Sequence, residues 1–129
     1  MVGIVIASHS QKLSEGVIEV ARMMAENAPL AAAGGMENGD LGTSYDKILN
    51  AIDKVYSDDG VVILADMGSA VMTAEMVLED IEYENIKILN CPLVEGAILA
   101  AMESVEGRDL EDLAERVETA HPSKKLMDD

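Results

Sequence analysis

Residues 2–16, VGIVIASHSQKLSEG, constrain the fold more than any other stretch of the chain. Val2 to Ala7 is a short apolar run rich in β-branched residues and reads as a buried strand. It breaks at Ser8-His9-Ser10, and a helical pattern follows with Leu13, Val17, Val20 and Met24 on one face. A buried strand feeding an amphipathic helix opens a β-α-β unit. In open parallel sheets, ligands and chemistry gather beyond the carboxyl ends of the strands. His9 stands at that edge, where it is a candidate nucleophile. A strand-end histidine that is merely hydrogen-bonded fits the position equally well, so its partners must decide.

The remaining chain continues the alternation. The spacing predicts a first helix over Gln11–Asn27 and a weak strand over Pro29–Ala33. A loop with four glycines, Gly34 to Gly42, comes next. Thr43 is expected to cap the second helix, with Asp46 three residues on in near-capping-box spacing, and Ile48, Ile52 and Val55 facing inward. That helix runs to about Tyr56 and ends in the turn Ser57-Asp58-Asp59-Gly60. Val61 to Ala65 is a continuous aliphatic strand of the parallel-sheet kind.

A third helix is expected over Ser69–Ile81 and a fourth strand over Ile86–Cys91, stopped by Pro92. Val94 to Val105 is apolar apart from Glu95 and Glu103; such a helix must be covered on several sides, within the domain or at a subunit interface. Gly107 ends it. Asp109 caps a last helix to about Ala120, with Leu110, Leu113 and Val117 inside. From about residue 121 the tail is expected to fray, with His121 solvated. The order β-α-β-α-β-α-β-α-α gives an α/β fold, a mostly parallel sheet with helices on both faces. With 129 residues, a single domain over 1–129 is expected.

The core has to be aliphatic, because the chain has no Trp, no Phe and three Tyr, with nine Met to fill gaps. The single cysteine, Cys91, excludes an internal disulfide, and without a neighbouring base it reads as a small buried hydrophobe. The start lacks a basic segment followed by an apolar one, and no stretch is long enough to span a membrane. A cytoplasmic protein is expected. Net charge is −16, from 25 acids against 9 Lys plus Arg, which argues against nucleic acid and anionic membranes as partners. Dense acid also keeps a protein hydrated in high salt. Two histidines and one cysteine show no metal-ligand spacing, so no metal is expected.

Four strand-to-helix turns are expected at one sheet edge: Ser8-His9-Ser10, Gly34 to Ser44, Asp66 to Ala70, and Cys91 to Gly96. Three contain glycine, and turns of this kind aim backbone N–H groups and helix N-termini into one cleft, which favours a phosphate. Asp66, at the end of a neighbouring strand, can accept from one histidine nitrogen and leave the other as nucleophile. Its competing role is to cap the third helix, alone or with Ser69.

Together, SHS at 8–10, GG…GDLGTS at 34–44, DMGSA at 66–70 and PLVEGA at 92–97 resemble the phosphotransferase subunit of phosphoenolpyruvate-dependent dihydroxyacetone kinase. That family is related to the enzyme IIA domain of mannose-type phosphotransferase systems. The resemblance covers nearly the whole chain and is weakest after Gly107. It implies an enzyme IIA mannose-like fold, a homodimer and a cytoplasmic role in glycerol and dihydroxyacetone metabolism. It implies that His9 takes a phosphoryl group from the carrier HPr, with Asp66 as its carboxylate partner. Ser8, Ser10, Gly42, Thr43, Ser44, Gly68 and Ser69 are the phosphate-binding candidates. The phosphoryl group would pass to ADP on a separate nucleotide-binding kinase subunit, and the ATP formed would serve a dihydroxyacetone-binding subunit. No cofactor is expected on this chain, ADP and ATP residing on the partner; no P-loop is present. Two rival readings are an enzyme IIA of mannose-type sugar uptake and a non-catalytic regulatory dimer of the same fold.

Overall fold

The computed structural model describes residues 1–120. The expectations placed on the tail and on His121 lie outside the described residues.

Four strands form one all-parallel sheet: β1 (Gly3–Ser8), β2 (Leu30–Gly34), β3 (Val61–Ala65) and β4 (Ile86–Ile88), in the order β2-β1-β3-β4. Five helices accompany them: α1 (Gln11–Met24), α2 (Tyr45–Val55), α3 (Gly68–Asp80), α4 (Leu93–Val105) and α5 (Leu110–Thr119). The period-2 alternation of the strands separates two aliphatic layers. Ile4, Ile6, Val62 and Leu64 face α1, α4 and α5, whereas Val5, Ala7, Val61 and Ile63 face α2 and α3. β1 is sandwiched between β2 and β3, so it is buried along its whole length, as its β-branched run requires. The expected α/β sheet with helices on both faces is what the chain forms.

Several boundaries and faces differ from the sequence expectation. α1 ends at Met24, not Asn27, and β4 ends at Ile88, not Cys91; the Leu89 N–H still bonds the Ile63 carbonyl at 2.9 Å. Ser44, not Thr43, caps α2 and accepts from the Lys47 N–H at 3.2 Å. The inward face of α1 is Ser14, Val17 and Ala21; Leu13, Val20 and Met24 are exposed. Small residues win that face because α1 packs against α4, which itself buries Gly96, Ala97, Ala100, Ala101 and Ser104. Two faces of small side chains let the axes approach closely, and larger residues would hold them apart. α1, α5 and the sheet cover the small-residue face of α4, while Val94 and Val105 stay exposed.

The close approach of β2 to α1 makes Gly34 costly to replace. A Cβ there would collide with the Ser14 side chain and with the Ser10 carbonyl. Ser14 is buried and its hydroxyl is held by the Gln11 carbonyl at 2.9 Å, so neither neighbour can yield freely. Gly34→Ala is expected to lower stability by about 1–3 kcal/mol, read as a reduced urea midpoint at unchanged slope. A variant as stable as the parent would show that α1 moves away at no cost.

Candidate functional site

The strand order puts the point where the chain reverses its winding between β1 and β3, and in open parallel sheets ligands gather beyond the carboxyl ends of the strands at such a point. Ala7 pairs with Ala65, so the next residues, Ser8-His9 on one strand and Asp66 on the other, emerge side by side.

Asp66 is the anchor of this arrangement. One carboxylate oxygen, Oδ1, lies 2.9 Å from His9 Nδ1. The other, Oδ2, accepts from the His9 backbone N–H at 2.9 Å and from the Ser8 hydroxyl at 2.8 Å. Burial pushes the Asp66 carboxyl up, but the bonds from the His9 backbone, the His9 ring and Ser8 together outweigh it and hold the carboxyl below its ordinary value. The stabilisation these bonds give the fold is complete above the ordinary value of 3.8 and is lost as pH falls through the lower folded-state value.

An ionised carboxylate can only accept, so in the neutral ring the proton sits on Nδ1 and the lone pair on Nε2. Nε2 is 2.5 Å from the Ser69 hydroxyl, which donates to it. The imidazole keeps about a fifth of its surface exposed (21 %), enough for a docking protein to reach it. Ser69 comes from the first turn of α3, whose N-cap position is held by Met67 without any side-chain capping bond. Asp66 and Ser69 thus both bond His9 and do not cap that helix.

The other expected phosphate ligands divide into two groups. Gly42 and Ser69 bond to His9, and Gly68 adjoins Ser69 at the start of α3. The Gly42 N–H bonds the His9 carbonyl at 2.9 Å, and its φ of +142° is a backbone conformation that residues with a side chain rarely adopt. Gly68 opens α3 with free space over its Cα. Ser8, Ser10 and Ser44 make bonds within the fold. The Ser8 hydroxyl is buried, accepting from the Ser10 N–H at 3.0 Å while donating to Asp66. Ser10 caps α1 through the Leu13 N–H at 3.1 Å, and Ser44 caps α2. The Thr43 hydroxyl pairs with that of Thr73 at 2.9 Å. The sequence reading passes over Thr73, although it sits four residues after Ser69 on the same helix face.

Cys91 lies beyond β4, half-buried against Gly96. Burial, reinforced by the Glu118 charge, pushes its thiol up to about 11, so it stays protonated and unreactive at neutral pH. No helix among the described residues is long and apolar enough to cross a membrane.

The family model for EIIA-man, the PTS system fructose IIA component, matches residues 3–117. The chain belongs to that family. This EIIA-man domain is 40% identical, over 116 residues, to the PTS-dependent dihydroxyacetone kinase phosphotransferase subunit DhaM of Lactococcus lactis, covering 90% of this chain and 93% of that one. It is 34% identical over 125 residues to a phosphoryl donor subunit DhaM of Listeria innocua, covering 94% and 100% of the two chains. Against the Escherichia coli phosphoryl donor subunit DhaM the identity is 37% over 118 residues, and the match spans only 25% of that longer protein. Among solved structures, a phosphotransferase system component EIIA from Streptococcus agalactiae superposes with a TM-score of 0.68 at 16% identity, over 91% of this chain and 89% of that one, a likeness of fold.

Proposed function

We propose that this EIIA-man domain is the phosphoryl donor subunit of a dihydroxyacetone kinase, working as a phosphohistidine relay. The reading rests on the His9 ring, with Nδ1 held by Asp66 and Nε2 turned outward as the nucleophile. The donor is HPr, charged ultimately from phosphoenolpyruvate. The phosphorus–nitrogen bond of the carrier breaks as a bond forms from phosphorus to His9 Nε2. A phosphorus at Nε2 needs the space the Ser69 hydroxyl occupies, so that hydroxyl turns aside and donates to a phosphoryl oxygen. The N–H groups at the uncapped start of α3, Gly68 and Ser69, supply further donors. Because the transition state is loose, positioning and charge stabilisation carry the rate.

In the second step a terminal oxygen of ADP attacks phosphorus in line with the Nε2 bond. That bond breaks, ATP forms, and the neutral ring is restored with its proton still on Nδ1. The nucleotide is held by a separate kinase subunit, and a further subunit holds dihydroxyacetone. The relatives named DhaM support this client. This chain's acid surface offers ADP no attraction, so the partner subunit supplies the cations that neutralise the diphosphate.

The test mixes the 32P-labelled domain with the nucleotide-binding kinase subunit and ADP. Label is expected to leave His9 and appear in ATP. An inert mixture, with rapid transfer to the cytoplasmic domain of a sugar transporter, would replace this reading with sugar uptake.

The domain is also expected to pair as a homodimer. Its exposed apolar side chains on α1 and α4, Leu13, Val20, Met23, Val94 and Val105, offer a surface for it. Sedimentation in low and high salt checks this, and a monomeric mass in both would refute it.

A further inference from the structure

We propose that Thr73 is a positioning residue for phosphoryl transfer, tying the loop after β2 to the first turn of α3 and so holding Ser69 on the nucleophilic nitrogen of His9. The proposal rests on His9 being the phosphorylated residue and adds how its environment is held in place.

Thr73 lies one helical turn after Ser69. Its Oγ1 is 3.0 Å from the Ser69 carbonyl and 2.9 Å from the Thr43 hydroxyl. A carbonyl can only accept, so the single hydroxyl proton of Thr73 goes to Ser69. Thr43 must then donate its own proton to Thr73. Two protons therefore point the same way, from the loop into the helix. A threonine bonded back to the carbonyl four residues earlier is common in helices and by itself means little.

The bond from Thr43 is different, because it joins segments 30 residues apart and both of its ends lead to His9. On the loop side, Gly42 donates its N–H to the His9 carbonyl at 2.9 Å. On the helix side, the Ser69 hydroxyl sits on Nε2. The contacts close a circuit from the His9 backbone through Gly42, Thr43, Thr73 and Ser69 to the His9 ring. When a phosphoryl group arrives the Ser69 side chain has to turn, while Thr73 keeps the Ser69 backbone where it is. Valine has the shape of threonine without the hydroxyl, so Thr73→Val opens the circuit and leaves the Thr43 hydroxyl without its acceptor. Thr73→Ser keeps it closed.

Two measurements test this. The first is the 15N resonance of His9 Nε2 in the unphosphorylated protein, assigned by its disappearance in His9→Ala. Ser69→Ala should move it downfield, as the accepted bond is lost. Thr73→Val should move it part of that way, and Thr73→Ser should leave it at the parental position. The second is single-turnover phosphorylation by phosphorylated HPr. Thr73→Val should slow the rate at saturating donor about fivefold, with the half-saturating donor concentration unchanged. Thr73→Ser should restore it, and in a Ser69→Ala background Thr73→Val should add no further loss. Thr43→Val removes the donor from the other end and should act in the same direction, which guards against a fold defect particular to position 73.

A parental Nε2 resonance in Thr73→Val, equal losses in both backgrounds, or no rescue by serine would overturn the proposal. If the parent itself takes no phosphate, the relay reading fails, and the resonance still decides whether Thr73 places Ser69.

Discussion

His9→Ala is expected to take no phosphoryl group at all while keeping its fold. Incubated with phosphoenolpyruvate, enzyme I and HPr, the parent should carry one acid-labile phosphate and the variant none. The fold survives because the backbone of His9, not its ring, is built into the structure. Its N–H binds Asp66 and its carbonyl receives the Gly42 N–H, and alanine keeps both. Asp66 loses one of its three accepted bonds, so a stability loss of about 1 kcal/mol is expected, visible as a small drop in Tm. Acid-labile phosphate on the variant, or label found on His121, would remove His9 from its place in the relay.

Asp66→Asn should slow phosphoryl acceptance by up to about ten-thousandfold, by analogy with other carboxylates that orient a catalytic histidine. The carboxylate faces donors on both oxygens, the ring N–H on one side and the His9 backbone N–H with the Ser8 hydroxyl on the other. An amide offers only one oxygen. Turned toward the ring, it sets its NH2 against the backbone N–H. Turned the other way, it gives a donor to Nδ1, which moves the ring proton to Nε2 and removes the nucleophilic lone pair. Either orientation costs the site, and the second disables it. The loss should fall on the rate at saturating HPr more than on HPr affinity, because Asp66 acts through the ring and is itself largely covered. Ring 15N spectra should show the tautomer change. A variant of near-parental rate, or a phosphorylated parent with the group on Nδ1, would show that Asp66 does not choose the nucleophilic nitrogen.

The two substitutions separate tasks that the proposed relay would have to combine. A phosphohistidine has to be exposed enough for two proteins to reach it in turn, yet surrounded by donors already in place. The exposed edge of the ring answers the first need. Ser69 and the uncapped start of α3 answer the second. Charge contributes little on this chain's side. Among the described residues, Asp66 is the carboxylate bonded to the ring, and it faces Nδ1 and not Nε2.

Much of the architecture was legible in the sequence, because its signals are local. Strands β1 and β3 are uninterrupted aliphatic runs ended by polar turns, and those runs have no other low-energy use than a sheet covered on both faces. The inner faces of α2 and α5 follow the large apolar residues at helical spacing, and Asp109 and Gly107 bound their elements as expected. α1 misled for a reason just as physical. Its apolar stripe contains the large residues Leu13, Val20 and Met24, but burial followed Ser14 and Ala21, which permit the close approach to α4. Which helix lies across another is not written in either helix alone.

The same limit governs the site. The residue types and their places at strand ends could be read from the chain, and so could Asp66 as a candidate partner for His9. Strand order could not. Four aliphatic strands of similar length fit several orders, and the choice depends on packing summed over both layers. Placing β1 beside β3, with Ala7 opposite Ala65, brings residues 57 apart in the chain to 2.9 Å. Each hydroxyl was likewise assigned only by the folded chain. Ser8, Ser10, Ser44 and Ser69 look alike in sequence, yet one holds a carboxylate, two cap helices and one meets the His9 ring. A hydroxyl has one proton and a short reach, so its role depends on which atoms the fold brings within about 3 Å of it.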